Sequence, residues 1–154
     1  MQDREKLSDR YERIHDQLVS LLRSGGSFIS RMATVVALLH HKMPHFFWTG
    51  FYILEKGELT VGPYQGPLAC QVLEKNTGVC WAGILERSTI VVPDVHKFPG
   101  HIACDSRSNS EIVVPLFDAE NEPWAVLDVD SRRRDAFSAV DKYWLEKIAR
   151  LIRR

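Results

Sequence analysis

The stretch of sequence that decides the fold is residues 111–130, EIVVPLFDAENEPWAVLDVD. Two runs rich in aliphatic and β-branched residues, Glu111 to Phe117 and Trp124 to Asp130, flank the polar segment Asp118 to Glu122. Strand-forming runs joined by a short polar loop are typical of a β-hairpin. We therefore expect the last two strands of an antiparallel sheet here.

Alternation along this hairpin separates two kinds of face. Leu127 and Val129 share one face of the last strand, whereas Asp128 and Asp130 share the other, because successive side chains of a strand point to opposite sides. In the partner strand Glu111 falls on the side that is not aliphatic. The hairpin thus predicts one face covered by helices and one face carrying three carboxylates.

The flanking sequence supplies further strands, a short helix and a long loop. We expect strands at Phe47 to Leu54, Glu58 to Val61, Leu68 to Leu73 and Thr89 to Val92, which with the hairpin makes about six. Gly78 to Leu85 reads as a short helix. The loop Asp94 to Ser110 is long for a compact domain, and loops of this length are often functional.

Helical patterns begin and end the chain. The first is an apolar stripe spaced by three and four residues: Leu7, Tyr11, Ile14, Leu18 and Leu21. Ser27 is suited to cap a second helix that runs to about His41. Ser138 to Asp141 resembles a capping box, followed by the buried stripe Val140, Trp144, Ile148 and Leu151. Helices before and after a run of strands predict an α+β domain.

The first strand adds aromatic side chains to the carboxylate face. Trp48, Gly50 and Tyr52 alternate with residues that face the helices. Carboxylates can pair with an ammonium group and aromatic rings can contact a methyl or sulfur group, so such a face suits a small zwitterion. The same alternation also fits an ordinary solvent-facing strand, with the aromatic residues in the core.

Composition excludes several classes of function. The chain has 154 residues, and 20 basic residues balance 20 acidic ones, so no net field favours nucleic acid or an anionic membrane. We interpret the basic run Arg132 to Arg134 as a solvated turn. No stretch approaches the length of a membrane span, and the charged start Met1 to Lys6 is unlike a signal peptide. We therefore expect a cytoplasmic protein.

Three cysteines, Cys70, Cys80 and Cys104, lie within 35 residues. In a reducing compartment cysteines are more often catalytic or metal-binding than structural, although three buried and inert thiols remain an alternative. A metal site of His96, His101 and Cys104 is disfavoured, because structural zinc sites prefer closely spaced Cys-x-x-Cys pairs.

Seven segments, in order, carry a resemblance to a known family. They are WTGFY (48–52), GPYQG (62–66) with Ala69-Cys70, TGVC (77–80), VVPDVH (91–96), FPGHIACDS (98–106), SEIVVPL (110–116) and LDVDS (127–131). Together they resemble the free methionine-(R)-sulfoxide reductases, a GAF-domain family, over about residues 30 to 152. One departure is Trp81, which follows Cys80 where the family usually has a small residue.

The resemblance implies a single GAF-like domain over residues 1–154. N-terminal helices over about 1–43 and a C-terminal helix over about 138–153 would cover one face of an antiparallel sheet of about six strands. The sheet and active-site loops would occupy about 46–131, with a ligand pocket on the other face. The implied substrate is free methionine (R)-sulfoxide, the implied reductant is thioredoxin-like, and no cofactor or metal is implied. Family members are commonly dimers, so the resemblance also implies a homodimer, for which the N-terminal helix is a candidate interface.

The resemblance also assigns site residues. The nucleophile is Cys104, its disulfide partners are Cys70 and Cys80, the pocket carboxylates are Glu111, Asp128 and Asp130, and the aromatic wall is Trp48 and Tyr52. Clustered carboxylates cannot all ionise cheaply, so we expect Glu111 to have a raised pKa and to protonate the sulfoxide oxygen. A non-catalytic GAF sensor that binds a small ligand on the same face is the competing function.

Overall fold

The computed structural model describes residues 2–101 and 104–154, and it places four α-helices and five strands in these ranges. They are α1 (Gln2–Leu22), α2 (Phe28–Lys42), β1 (Trp48–Glu55), β2 (Glu58–Gln65), α3 (Gly78–Glu86), β3 (Ile90–Val92), β4 (Ser110–Phe117), β5 (Pro123–Ser131) and α4 (Ala139–Ala149). The step Ile102–Ala103 of the long cysteine motif lies outside the described residues.

The five strands form one antiparallel sheet in the order β2-β1-β5-β4-β3. The expected hairpin is present at its centre, with Ile112 opposite Val129 and Val113 opposite Asp128. Its polar connection is closed by a hydrogen bond from the Asp118 amide to the Glu122 carbonyl at 2.9 Å. Because β5 lies between β1 and β4, the carboxylates of the hairpin and the aromatic residues of β1 lie on neighbouring strands.

Each face of the sheet has its own hydrophobic cluster. Helices α1, α2 and α4 cover the aliphatic face, where Ile112, Leu127 and Val129 are fully buried. The opposite face packs against α3 and the surrounding loops, and its cluster includes Trp48, Tyr52 and Cys80. The expected α+β fold, with terminal helices on one face and a pocket on the other, is confirmed, and α3 is an additional wall on the pocket side.

The expected strand at 68–73 does not form, so the described sheet has five strands rather than about six. The backbone of this segment pairs with the sheet through an isolated bridge between Thr60 and Val72. Pro67 cannot donate to a ladder, and the carbonyls of Pro67 and Cys70 accept hydrogen bonds from aromatic side chains instead. The segment is therefore a loop fixed against the edge strand β2.

The terminal helices form where the sequence predicts them, with small differences in their ends and in which residues are buried. In α1 the buried stripe ends at Leu22, whereas Leu21, which we expected in the stripe, is 49% exposed. Ser27 caps α2 by accepting the Ser30 amide, and the capping box of Ser138 and Asp141 starts α4. Helix α4 ends at Ala149, a few residues before the expected end at about 153.

In the described part of the chain, no helix combines the length and the apolar character that crossing a membrane would require.

Candidate active site

Two carboxylates and a thiol converge beneath the pocket face of the sheet. Glu111 on β4 and Asp128 on β5 are both buried, and the register of the hairpin places Glu111 opposite Asp130. The Cys80 thiol, on the first turn of α3, donates to Asp128 Oδ2 over 3.4 Å. Donor atoms of Cys80, Glu111 and Asp128 lie within 4.8 Å of one another. The strand pairing and α3 thus build one acidic cluster.

Burial makes this cluster reluctant to ionise. It raises the pKa of Glu111 well above the usual range for a carboxyl, and the nearby charges of Asp128 and Asp130 raise it further. Burial likewise raises the pKa values of Asp128 and Asp130. The pKa of the Cys80 thiol is also raised well above its usual value, chiefly by burial and then by Asp128. The cluster therefore favours protonated Glu111 and a neutral Cys80 thiol.

Three aromatic rings stack beside the cavity, and two of them, Trp48 and Tyr52, line it. Trp48 stacks on Tyr52 and on Tyr64, with ring centroids 5.8 and 5.3 Å apart. Gly50 makes this stack possible, because a Cβ at that position would lie 2.4 Å from the Tyr64 Cβ and 2.6 Å from the Trp48 ring. Tyr64 extends this stack by packing on Trp48, a contact that the sequence argument missed. Its signal was available, since it belongs to the GPYQG motif and pairs with Gly50 across the strands.

Two of the three cysteines are joined. Cys70, in the loop after β2, forms a disulfide with Cys104, with the two Cα atoms 5.7 Å apart. Cys104 is exposed and Cys70 is half-buried, whereas Cys80 is a buried free thiol. The sequence left the partner of Cys104 open between Cys70 and Cys80, and this state of the molecule pairs it with Cys70.

The disulfide, the acidic cluster and the aromatic wall face a common cavity. Among the residues that line it are Trp48, Tyr52, Cys80, Cys104, Glu111 and Asp130. The Trp48 indole donates to the Pro67 carbonyl at 3.1 Å, and the Tyr52 hydroxyl donates to the Cys70 carbonyl at 3.1 Å. Trp48 and Tyr52 therefore hold the loop that carries Cys70 in place, while their rings line the cavity. Residues that we predicted from distant strands and loops are brought together here.

The basic residues near Cys104 have other partners. His101 Nε2 lies 3.7 Å from Glu111 Oε1, and burial lowers the His101 pKa, with a further contribution from His96. Arg107 pairs with Asp105 at 2.7 Å and lies over the Phe47 ring, and this pairing holds the Asp105 pKa at about 2. His101 thus reaches the acidic cluster, while the charge of Arg107 is balanced by its neighbour.

Two residues of the metal alternative, His96 and Cys104, have other partners in this state. The sulfur of Cys104 is bonded to Cys70, and His96 Nε2 contacts Asn109 Oδ1 at 3.0 Å. Within residues 2–101 and 104–154, the group whose donor atoms converge is Cys80, Glu111 and Asp128.

Comparison with known proteins gives one consistent family. A family model described as GAF domain matches residues 8–154. The free methionine-R-sulfoxide reductase of Escherichia coli is 37% identical over 138 residues, which cover 90% of this chain and 83% of that protein. The free methionine-R-sulfoxide reductase of Saccharomyces cerevisiae is 44% identical over 108 residues, covering 68% of this chain and 60% of that protein.

A solved structure agrees with the sequence comparison. The free methionine-R-sulfoxide reductase of Neisseria meningitidis, in complex with its substrate, superposes with a TM-score of 0.88 at 36% identity. The match covers 92% of this chain and 85% of that one. Since both the GAF model and these reductases match nearly the whole domain, the chain belongs to the GAF domain family and, within it, to the free methionine-R-sulfoxide reductases.

Proposed function

We propose that this protein reduces free methionine (R)-sulfoxide to methionine, with Cys104 as the nucleophile. The observation that carries the proposal is the Cys70–Cys104 disulfide beside a cavity that also contains the buried, protonation-prone Glu111. A redox-active sulfur and a neutral carboxylic acid are the two groups that sulfoxide reduction requires. The reductases named above support the choice of substrate.

The first step transfers oxygen from the substrate to the enzyme. In the reduced enzyme the Cys104 thiolate attacks the sulfoxide sulfur, and Glu111 protonates the sulfoxide oxygen as its bond to sulfur weakens. The resulting hydroxyl then shifts from the substrate sulfur to Cys104 Sγ while the new bond between the two sulfur atoms breaks. Methionine leaves, and Cys104 is a sulfenic acid, so the substrate sulfur gains the two electrons that Cys104 loses. Burial supports this role of Glu111, because a carboxyl with a raised pKa keeps its proton to a higher pH than an ordinary glutamate does.

The second step forms the disulfide. The Cys70 thiol condenses with the sulfenic acid of Cys104 and releases water, which gives the bond present in the structure. Cys80 is the less suitable partner in this state, since it is buried and its thiol proton is directed to Asp128. A thioredoxin-like dithiol then reduces the disulfide by exchange and completes the cycle.

Recognition of the free amino acid is assigned to two groups of side chains that line the cavity on the neighbouring strands β1 and β5. Trp48 and Tyr52 supply aromatic faces for the sulfur and methyl group of the substrate. Asp128 and Asp130 supply carboxylates for its α-ammonium group, whose positive charge would favour their ionised forms. A methionine sulfoxide within a peptide lacks this ammonium and carries chain on both sides, so the cavity should exclude it.

The test is an assay of methionine release with dithiothreitol as reductant, comparing the R and S epimers of free methionine sulfoxide. We expect turnover of the R epimer only, and no turnover by Cys104→Ser. Normal activity of Cys104→Ser would reject Cys104 as the nucleophile. Cys70→Ser should still release about one methionine per chain in a single turnover, because it lacks only the recycling step.

Thiol titration separates this function from the competing sensor. A reductase with all three thiols free loses two of them after exposure to methionine (R)-sulfoxide, whereas a sensor that only binds the ligand loses none.

A further inference from the structure

We propose that the loop of residues 66–73, here called the reductase loop, is the docking surface for the protein that reduces the Cys70–Cys104 disulfide. The proposal rests on the proposed function, which requires this disulfide to be reduced after each turnover. We infer that the partner is a dithiol oxidoreductase of the thioredoxin type, with an apolar and uncharged surface around its attacking thiol.

The position of the disulfide restricts where such a partner can bind. Exchange requires a thiolate to contact one of the two sulfur atoms, so the partner must cover the surface beside them. Cys104 is the exposed member of the pair, and Cys70 lies within the reductase loop itself. Any protein that reaches the disulfide from solvent therefore also contacts this loop.

The chemistry of the loop matches an apolar partner. Its sequence, GPLACQVL, contains no charged residue. Leu68 and Val72 lie two residues before and two residues after Cys70, and they are 85% and 47% exposed. Leu68 is the most exposed large hydrophobic residue in the described ranges. Exposed apolar side chains grouped around a reactive bond mark an interaction site rather than scattered surface residues.

The loop presents these side chains from a fixed backbone. Four hydrogen bonds hold it: Trp48 Nε1 to the Pro67 carbonyl, the Tyr52 hydroxyl to the Cys70 carbonyl, the Val61 amide to the Gln71 carbonyl, and the Leu73 amide to the Leu59 carbonyl. Its first residue, Gly66, has φ +122°, and a Cβ there would lie 2.7 Å from the Phe47 carbonyl oxygen. A backbone that is already fixed loses little entropy on docking.

The exchange then proceeds in two balanced steps. The partner's thiolate attacks Cys104 Sγ, the Cys70–Cys104 bond breaks, and Cys70 leaves as a thiolate that takes up a proton. The partner's second thiol attacks the mixed disulfide, which releases Cys104 as a thiolate and leaves the partner oxidised. Two electrons pass from the partner's dithiol to the disulfide.

The test changes the docking surface without changing the chemistry. Val72→Glu and Val72→Lys, in the full chain, are assayed with dithiothreitol and with thioredoxin recycled by its reductase and NADPH. Because a charge of either sign is costly against an apolar partner, both variants should raise the KM for thioredoxin by about tenfold or more. Turnover with dithiothreitol and the KM for methionine sulfoxide should stay within about twofold of the parent, a surface-substitution effect.

A matched control is Leu85→Glu, which places a charge on an exposed apolar residue of α3 outside the reductase loop. This variant should leave both reductants equally effective. Equal loss with both reductants in the Val72 variants would overturn the proposal, since it would place Val72 in the chemistry of the substrate. So would an unchanged KM for thioredoxin, or opposite effects of the two charges.

A second measurement tests the docking surface even if the protein does not reduce methionine sulfoxide. The rate at which thioredoxin reduces the isolated disulfide protein is followed by thiol titration, with no sulfoxide present. Leu68→Glu should slow this rate at least as much as Val72→Glu. An unchanged rate in both variants overturns the docking surface, whereas a parent protein that is reduced normally but releases no methionine contradicts only the proposed function.

Discussion

At the scale of single residues, the site depends on where protons are held. Glu111, Asp128 and Asp130 are brought together by the strand pairing, and burial is the main cause of their raised pKa values. The charges of neighbouring carboxylates raise the pKa values of Glu111 and Asp130 further, whereas hydrogen bonds with Glu111 and Cys80 oppose the rise at Asp128. In the proposed mechanism the Cys104 thiol must lose a proton and the sulfoxide oxygen must gain one. The two requirements are separated in space, with the sulfur at the exposed Cys104 and the acid inside the sheet.

The first prediction concerns Glu111→Gln. The rate of methionine release in a single turnover should fall by about a hundredfold, a usual contribution of a general acid. In the parent this rate should decline as the pH rises through the raised pKa of Glu111, because the protonated form is the active one. The variant should lack that decline. A parent and variant with the same alkaline limb would show that another group supplies the proton.

The second prediction concerns recognition of the ammonium group. Asp130→Asn and Asp128→Asn should lower kcat/KM for free methionine sulfoxide by roughly tenfold or more, the loss of a charge-assisted hydrogen bond. The efficiency on N-acetylmethionine sulfoxide, which has no ammonium, should be low in the parent and change little in the variants. The comparison requires both substrates at one pH. Equal efficiency of the parent on the two substrates would contradict this role of the carboxylates.

At the scale of elements, alternation was sufficient to place side chains on faces but not to pair the cysteines. The period of two along 111–117 and 124–130 correctly separates Ile112 and Val129 from Asp128, because strand geometry is local. The Cys70–Cys104 pairing depends on how two loops cross the same face, which no local pattern contains. For the same reason residues 68–73, which are rich in apolar side chains, were wrongly expected to form a strand.

Helix α1 is attached to α4 by a buried hydrogen bond that the apolar pattern did not predict. The Tyr11 hydroxyl donates to Asp141 Oδ1 at 2.6 Å, and the same carboxylate forms the capping box of α4 through Oδ2. Tyr11 occupies an apolar stripe position, so its sequence context predicts burial but not a polar partner. One carboxylate thereby fixes the start of the last helix and the position of the first.

The third prediction tests this contact. Tyr11→Phe should lower the free energy of unfolding by about 1.5–3 kcal/mol, since it removes a buried hydrogen bond to a charged group. The control is Tyr143→Phe, which removes a hydroxyl from an exposed tyrosine of α4 and should have little effect. Urea unfolding with an unchanged m-value measures both. Equal stability of the two variants would show that the Tyr11 hydroxyl contributes nothing to the fold.

At the scale of the whole molecule, the buried carboxyl of Glu111 makes the free energy of unfolding fall as the pH rises. The carboxyl of Glu111 has a raised pKa in the folded protein, so between its unfolded value and that raised value the folded state binds more protons than the unfolded state. Stability from this group is fully present below the unfolded pKa, and it is lost as the pH rises toward the folded pKa. The aliphatic face, whose buried side chains do not titrate, provides the stability that tolerates this loss.

The last prediction follows from this fall in the free energy of unfolding with rising pH. With the disulfide intact, the free energy of unfolding of the parent should fall between pH 5 and pH 8, by up to about 1.4 kcal/mol per pH unit for each extra proton bound in the folded state. Glu111→Gln should show a shallower decline and exceed the parent in stability at pH 8, because a glutamine has no proton to lose. The matched control, Glu120→Gln in the exposed β4–β5 turn, should follow the parent curve. Urea unfolding at each pH provides the measurement.

If the free energies of unfolding of Glu111→Gln and Glu120→Gln fall alike with pH, burial of Glu111 does not reduce stability, and the cluster holds its charge by other means. If only Glu111→Gln gains stability while losing methionine release, the same buried proton accounts for both the activity and its energetic cost.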